Sequence, residues 1–338
     1  MARYRSVVLW LCIFAVLGGS AVAGQQQFFV QNRLQMPDTE ESTAVKSLRI
    51  ENYFVKGENV QRFSQVPERV VVVGENEIEA MLELGLEKSI CMAIVTNSRK
   101  FNMKEKNAAK LPELPKRDRS YLNVEYITAL HPDLIVAQQD KFVRTRLRDT
   151  DYWNERGIRT FVPFNANTPS KHMYPETIEN EMLFLQGLGK IFRQEERSRR
   201  IVQETYDAIA DIRQQSRSEK KPKVMFVEFL SSMISYDATK LAGNMAARIG
   251  AEVPVTSPVI GFEQLIQEDP DVLFVVCSHA DYGACITKVT ENPALQQLRC
   301  VSEQRVYSIP LRYTYAASVR TADGLRYMAR CMYPACGF

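Results

Sequence analysis

The sequence predicts an α/β fold made of two doubly wound α/β lobes joined by one long α-helix. In both halves of the chain, short β-branched runs alternate with helical patterns, which is typical of parallel sheets covered by helices. The chain has 338 residues, and single hydrophobic cores stop growing near ~250–300 residues, so two cores are expected. A long helical stretch lies between the halves.

This connecting helix is predicted from about Gln194 to Gln215, a stretch without Gly or Pro. Acidic residues occupy its first turn and Arg213 its last, which complements the helix dipole. At ~1.5 Å per residue the helix is roughly 33 Å long. A surface helix of a single α/β domain is the alternative, and the flanking lobes favour the bridge. The apolar face repeats at helical spacing through Ile201, Val202, Thr205, Ile209 and Ile212.

The N-terminus has the pattern of a secretory signal peptide, residues 1–23. Arg3 and Arg5 precede a short apolar run, and small residues follow it up to Ala23. The run is too short to span a bilayer, although a retained anchor is the alternative reading. We therefore expect an exported, periplasmic protein that is soluble after cleavage.

Net charge and cysteine content bear on the kind of partner and on possible disulfides. The net charge is only +3, with both signs interspersed, so no nucleic-acid partner is expected. Export makes disulfides plausible, and Cys277 with Cys285, or Cys331 with Cys336, are close enough in sequence to close small loops. Cys91 lies in a strand-like run and is expected to pack as a small apolar group.

The N-terminal half predicts a lead-in and β-hairpin at residues 24–65 and a lobe at residues 66–170. The hairpin turn is placed at Lys56–Asn59, where a Gly separates two alternating runs. A polar, basic loop is predicted at Thr96–Arg119. Predicted strands are Arg69–Gly74, Ser89–Val95, Pro132–Ala137 and Arg159–Phe164, and predicted helices are Glu77–Leu86, Asn123–Leu130 and Arg144–Arg156.

The C-terminal half predicts linker helices at residues 171–220 and a second lobe at residues 221–338. A short internal correspondence relates the lobes, because Glu125 lies eight residues before Asp133 and Glu263 lies eight residues before Asp271. Beyond the connecting helix, predicted helices are Glu176–Leu188, Lys240–Ile249, Phe262–Glu268, Asn292–Gln297 and Ala322–Tyr333, and predicted strands are Lys223–Phe229, Pro270–Val276 and Arg305–Ile309.

Several motifs, taken in their order and spacing, carry a family resemblance over roughly residues 49–334. The chain resembles a periplasmic substrate-binding protein of the importers for cobalamin, haem and iron-siderophores, the class whose lobes are bridged by one long helix. The motifs are Pro67–Val73, Glu79–Leu86, Ala129–Val136, Arg248–Ala251, Asn292–Leu295 and Arg305–Pro310.

The resemblance implies a monomeric binding protein rather than an enzyme, with no cofactor of its own. Such a protein captures a ferric siderophore, or a related iron complex, haem or cobalamin, between its lobes. It delivers this ligand to an ABC permease powered by a cytoplasmic ATPase. Glu125 and Glu263 match the two family glutamates that meet arginine pockets on the permease. The alternative is that both carboxylates only interact with helix dipoles, worth ~0.3–1 kcal/mol each.

The ligand is expected at the carboxyl ends of the strands, where open α/β sheets bind ligands. Arginines there suit an anionic iron complex, and tyrosines offer flat rings or a phenolate. A solvated loop residue is the alternative for each position. The predicted ligand-binding residues are Asn76, Arg99, Arg117, Arg119, Tyr121, Gln138, His279, Tyr282, Arg312, Tyr313 and Tyr315.

Haem is disfavoured because Asp118 occupies the position where haem-binding relatives place a ligand tyrosine. Tyr121, His279 and Met103 remain as candidate iron ligands. Three histidines in all argue against a bare zinc site. Two other functions stay open: a metal-oxyanion binder for molybdate or tungstate on the same scaffold, and a secreted hydrolase. No Gly-x-Ser-x-Gly elbow or phosphate loop supports the hydrolase.

Overall fold

The computed structural model describes residues 47–52, 59–96, 103–165, 175–277, 282–315 and 318–338. The predicted signal peptide, the rest of the lead-in up to residue 46 and residues 56–58 of the predicted hairpin turn lie outside these residues. Ser47–Phe338 form one compact unit. Within the described ranges, every helix is too short or too polar to cross a bilayer.

The first lobe is built on a five-stranded, all-parallel sheet preceded by a β-hairpin. The hairpin pairs β1 (Leu48–Asn52) with β2 (Asn59–Phe63). The sheet order is β5-β4-β3-β6-β7. Its strands are β3 (Val70–Val73), β4 (Ile90–Val95), β5 (Lys116–Asp118), β6 (Leu134–Ala137) and β7 (Arg159–Phe161), and its helices are α1 (Glu75–Glu83), α2 (Glu105–Ala108), α3 (Val124–Ala129) and α4 (Thr150–Asn154).

Two predictions in this lobe were wrong. The predicted loop Thr96–Arg119 contains β5 and α2, and β5 was missed because its three residues are all charged and exposed. The predicted helix Arg144–Arg156 is much shorter. Asp149 begins α4 by accepting a hydrogen bond from the backbone N–H of Tyr152 at 3.0 Å, so the residues before it turn instead.

Two helices connect the lobes: α5 (Ile178–Ile191) and the long α6 (Glu195–Gln215). The second lobe has a five-stranded sheet of order β10-β9-β8-β11-β12, in which β8, β11 and β12 are parallel and β9 and β10 antiparallel. Its elements are β8 (Val224–Phe229), β9 (Met233–Ser235), α7 (Leu241–Arg248), β10 (Val259–Ile260), α8 (Phe262–Glu268), β11 (Val272–Cys277), α9 (Tyr282–Thr290), α10 (Arg299–Ser302), β12 (Val306–Pro310) and α11 (Thr321–Met332).

The second lobe contains elements that were not predicted. Strands β9 and β10 are only three and two residues long, too short to show alternation. Helix α9 was missed because Gly and β-branched residues, which have low helix propensity, fill much of it. The predicted helix Asn292–Gln297 is a single 3₁₀ turn at Pro293–Leu295. The predicted fold class, two α/β lobes joined by a long helix, is confirmed.

One hydrophobic core runs through both lobes. In β3, Val70 and Val72 face this core, whereas Val71 and Val73 face a smaller cluster on the other side of the sheet. The main cluster continues through Leu185 of α5 to the second lobe. The connecting helices are therefore packed between the two sheets.

A buried ion pair joins the lobes beside this core. Arg320, at the start of α11, donates from Nε to Oε2 of Glu79 in α1 at 2.9 Å, and the two side chains are only 7% and 1% exposed. Next to it, Nζ of Lys104 donates to the carbonyl of Val319 at 3.2 Å. Segment 318–323 of the second lobe is thus attached to α1 of the first.

We predict that Arg320→Ala lowers the free energy of unfolding by about 3 kcal/mol, because it leaves the Glu79 carboxylate buried without its cation. Urea unfolding followed by circular dichroism measures the loss. Arg199→Ala is the matched control, since Arg199 pairs with Glu196 on the surface, where both are at least 70% exposed. That change should cost less than ~0.5 kcal/mol. Equal losses in the two variants would contradict the prediction.

Candidate ligand-binding cleft

The sheet order creates a crevice at the carboxyl end of each sheet. In the first lobe the chain runs from β3 out to β4 and β5, then crosses to β6 and β7 on the other side. In the second lobe the same reversal occurs between β8 and β11. Ligands of open α/β sheets bind at such reversals, outside the carboxyl ends of the strands. The residues after β3 and β6 are therefore the first to consider.

Glu77, in the first turn of α1, lies at this crevice. It is only 1% exposed, and its Oε1 accepts a hydrogen bond from Nε2 of Gln138, just after β6, at 3.0 Å. Its Oε2 has no hydrogen-bond partner among the described residues. Burial raises the pKa of Glu77 to about 7. Gly74 has a φ of 108°, and a Cβ there would lie 2.2 Å from Oε2, so Gly is required.

The charged groups around Glu77 are already paired. Glu75 accepts a hydrogen bond from the hydroxyl of Thr96 at 2.8 Å. Lys141, which follows β6, donates to the carboxylate of Asp140 at 2.7 Å. Arg146 also reaches Asp140, at 3.0 Å. The end of the crevice nearest α1 therefore carries an excess of negative charge.

Tyr315 brings the second lobe to the same place. Its carbonyl accepts a hydrogen bond from Nδ2 of Asn76 at 3.4 Å, which joins the two lobes across the cleft. Its side chain is 40% exposed. Burial of the hydroxyl, with the negative charges of Asp140 and Glu176, raises the pKa of Tyr315, so its phenol is neutral near neutral pH. Asn76, Gln138 and Tyr315 are thus brought together.

Arg312 and Tyr313 face mainly their own lobe. The guanidinium of Arg312 stacks on the ring of Tyr313 at 4.9 Å. That ring is itself 6.1 Å from the ring of Tyr327 in α11 and packs against the main core. The two residues follow β12, so they lie at the cleft end of the sheet, but the Tyr313 ring is partly used in packing.

Arg117, Arg119 and Tyr121 form an exposed basic rim at the carboxyl end of the edge strand β5. The guanidinium of Arg117 lies 5.4 Å from the centre of the Tyr121 ring. Between them, Asp118 accepts hydrogen bonds from the backbone and hydroxyl of Ser120, which lower the pKa of Asp118. The position of a haem-ligating tyrosine is therefore occupied by a residue that caps a local turn.

Three predicted residues cannot be placed. Arg99 and His279 lie outside the described residues, and Tyr282 begins α9 but its side chain is not described. Met103, a candidate iron ligand, is 6% exposed within the main core. The described residues contain no group of three or more His, Cys, Asp or Glu side chains placed to hold a metal ion.

The internal correspondence between the lobes has a structural basis at the opposite ends of the sheets. Asp133, before β6, accepts hydrogen bonds from the backbone of Glu68 at 2.8 Å and Arg69 at 3.1 Å, just before β3. Asp271, before β11, does the same with the backbone of Lys223, before β8, at 2.7 Å. Asp133 thus connects the start of β6 to the start of β3, and Asp271 connects the start of β11 to the start of β8.

The preceding helices are held in matching ways. Arg69 donates to the carbonyl of Leu130 at the end of α3, at 2.6 Å. Lys223 donates to the carbonyl of Glu268 at the end of α8, at 2.9 Å. Glu125 and Glu263 therefore occupy equivalent positions, exposed in the first turn of α3 and α8. Neither carboxylate is hydrogen-bonded or ion-paired to another side chain within the described part of the chain.

One of the two suggested disulfides is present. Cys277, at the end of β11, is bonded to Cys285 in α9. Cys331 and Cys336 are free, so the second suggested pairing is not formed. Cys331 is buried in α11, and Sγ of Cys336 lies 3.6 Å from the carbonyl of Gln215 instead. Cys91 is half-buried at the outer end of β4.

Comparison with known proteins identifies the family. The sequence model described as periplasmic binding protein matches residues 70–313. The chain belongs to the periplasmic binding protein family. This is a family of solute-binding proteins rather than of enzymes.

Relatives support the same assignment. The chain is 23% identical over 249 residues to the Fe(3+)-citrate-binding protein YfmC of Bacillus subtilis, covering 72% of this chain and 73% of that protein. A periplasmic binding protein from Veillonella parvula has a TM-score of 0.79 and 26% identity, covering 86% and 92% of the two chains. An ABC-type Fe3+-hydroxamate transport system protein from Saccharomonospora viridis shares the fold, with a TM-score of 0.63, 17% identity, and 85% and 99% coverage.

Sequence reasoning also missed the buried carboxylate of Glu181 in α5, which bridges the lobes. It accepts hydrogen bonds at 2.6 Å from Nδ2 of Asn165, after β7, and from the backbone of Ser318 in the second lobe. Burial raises the pKa of Glu181 to about 7. Glutamates in helical patterns are ordinarily exposed, so the burial of Glu181 and of Glu77 could not be predicted from their sequence pattern.

We predict that Glu181→Gln removes part of the pH dependence of stability. Glu181 ordinarily titrates near 4.5, and near 7 when folded, so the folded state binds more protons between these values and stability falls as pH rises through them. Gln cannot ionise. The variant should therefore gain up to about 3 kcal/mol relative to wild type between about pH 5 and 8.

Urea unfolding of both proteins across this pH range measures the difference. Glu77 titrates in the same window in wild type and variant, so its contribution cancels in the comparison. A constant difference between the two proteins at all pH values would show that Glu181 has an ordinary pKa.

Proposed function

We propose that this protein is the extracytoplasmic solute-binding component of an ABC importer and binds a ferric siderophore or a related iron or tetrapyrrole complex in the cleft. The observation that carries the proposal is the meeting of the two sheets at their carboxyl ends, where Asn76 of one lobe contacts Tyr315 of the other. Relatives named for ferric citrate and for Fe3+-hydroxamate transport support iron as the cargo. The predicted signal peptide supports a periplasmic location.

The basic rim supplies groups that suit the oxygen-rich shell of a ferric complex. Hydroxamate, catecholate and carboxylate oxygens accept hydrogen bonds, and an arginine guanidinium presents several donors in a fixed plane. The side chains of Arg117 and Arg119 are exposed and can donate such hydrogen bonds, and Tyr121 beside them is 38% exposed. Arg99, His279 and Tyr282 belong to segments that follow β4 and β11, so they are further candidates on each side of the cleft.

The docking proposal rests on the equivalent surroundings of Glu125 and Glu263. In each lobe, an aspartate holds the start of the strand that follows the glutamate. A basic side chain holds the carboxyl end of the helix that contains the glutamate. Two exposed carboxylates at equivalent points of two lobes suit a permease that presents an arginine pocket to each. Charge-assisted pairs of this kind give orientation and specificity, which a transient contact requires.

We predict saturable binding of a ferric siderophore by the purified protein, measured by calorimetry alongside haem, cobalamin and molybdate. Arg117→Ala and Arg119→Ala should each weaken binding by about tenfold through lost charge-assisted hydrogen bonds. Arg156→Ala is the control, because Arg156 stacks on Tyr152 beside α4 rather than in the cleft. Binding of molybdate alone would replace this proposal with the oxyanion alternative.

We predict that Glu125→Arg and Glu263→Arg each abolish most ligand-stimulated ATPase activity of the importer in proteoliposomes, because each places a cation against an arginine pocket. Ligand affinity of the isolated variants should be unchanged. Glu155→Arg serves as the control, since the Glu155 side chain is 75% exposed on the first lobe. Full stimulation by both docking variants would refute the assignment.

A further inference from the structure

The crevice at the carboxyl ends of β3 and β6 is acidic, whereas the rim formed by Arg117, Arg119 and Tyr121 beside β5 is basic. The rim is exposed and cationic, whereas the crevice contains the buried carboxylate of Glu77 beside Glu75. Both lie at the carboxyl end of the same sheet. A ligand that spans this edge therefore meets donors at one side and a carboxylate at the other.

Among the acidic residues of α1, Glu77 differs in having an incomplete set of partners. Glu79 accepts from Arg320, Asn107 and the backbone of Lys104. Glu83 accepts from Asn107 at 2.8 Å and pairs with Lys106. Oε1 of Glu77 accepts from Gln138, whereas the buried Oε2 has no hydrogen-bond partner among the described residues. The backbone N–H of Glu77 also lowers the pKa of this carboxyl, but burial outweighs it.

A buried carboxylate oxygen without a donor is costly, because it has lost its water and gained nothing in return. The charged groups that face Glu77 do not remove this cost. Lys141 is committed to Asp140, and Glu75 adds like charge. Burial, together with the surrounding acids, raises the pKa of Tyr315 from the opposite lobe and keeps its hydroxyl neutral. A cation or strong donor is what the site lacks.

We propose that Oε2 of Glu77 is a ligand-binding group that takes an ammonium or comparable donor of the ligand, and so selects ferric complexes that carry a positively charged arm. This inference rests on the proposed function and specifies its ligand class. Entry requires displacement of the contact between Asn76 and the Tyr315 carbonyl, a single hydrogen bond of 3.4 Å. The metal centre, with its acceptor oxygens, then faces the basic rim.

The test compares two probes with one metal centre: ferrioxamine B, a linear ferric trihydroxamate ending in an ammonium, and its N-acetylated form. Calorimetry with the purified protein at about pH 8, where Glu77 is ionised, should show at least about tenfold tighter binding of the ammonium form. Glu77→Gln should remove this preference. Glu83→Gln, the same substitution at the far end of α1, should keep it.

A second readout does not need the variant to fold. Because the ammonium favours ionised Glu77, binding near pH 7 should release about half a proton, seen as a dependence of the binding enthalpy on buffer. The N-acetylated probe should release none. In wild type the preference for ammonium should also decline between about pH 8 and 6, as Glu77 takes up a proton.

The outcomes separate the two proposals. If neither probe, nor ferric citrate, nor haem binds, the proposed function fails and this inference fails with it. If an iron complex binds but wild type shows no preference for the ammonium and no proton release, only the role of Glu77 is overturned. A preference for the ammonium form that persists undiminished in Glu77→Gln would overturn it as well.

Discussion

The structure depends on a single apolar core that both lobes share. The parallel strands at the centre of each sheet are buried on both faces, and their inward faces pack in one cluster with α5, α6 and the neighbouring helices. Separating the lobes would expose this surface to water, which costs ~25 cal/mol for each Å². The buried ion pair Glu79–Arg320 lies beside this core. Water can reach this pair only if the lobes move apart. The connecting helices are therefore structural partners of both sheets.

Much of this arrangement could be predicted because hydrophobic pattern and secondary structure follow the same local rules. The run Val70–Val73 and the helical face from Val202 to Ile212 are readable in sequence, since each needs only neighbouring residues to be recognised. Strand β5 could not be read, because Lys116–Asp118 is charged and pairs with β4 only at an edge. Helix α9 has poor intrinsic propensity, so its formation depends on tertiary contacts.

The site was predicted less completely, for a different reason. Asn76, Gln138 and Tyr315 were expected near the cleft from their positions after strands, and the structure brings them together. Whether a side chain is available to a ligand depends on partners far away in sequence. Tyr313 is engaged by Tyr327, Lys141 is bonded to Asp140, and Oε2 of Glu77 has no donor among the described residues. Alternation and spacing carry no information about such pairings.

The two ends of each sheet have separate duties. At the starts of the strands, the carboxylates of Asp133 and Asp271 accept hydrogen bonds from the backbone before the neighbouring strand. These bonds stabilise the fold and lie away from the cleft. At the other ends, the side chains of Arg117, Arg119 and Tyr121 are exposed, and substitutions of exposed side chains cost little free energy of folding. Such substitutions can therefore change the groups presented at the cleft while the fold is kept. This separation gives a physical reason why this chain and a solved structure with only 17% sequence identity to it share one fold. The residues that hold the strands together lie at one edge of each sheet, and the residues that are free to change lie at the opposite edge.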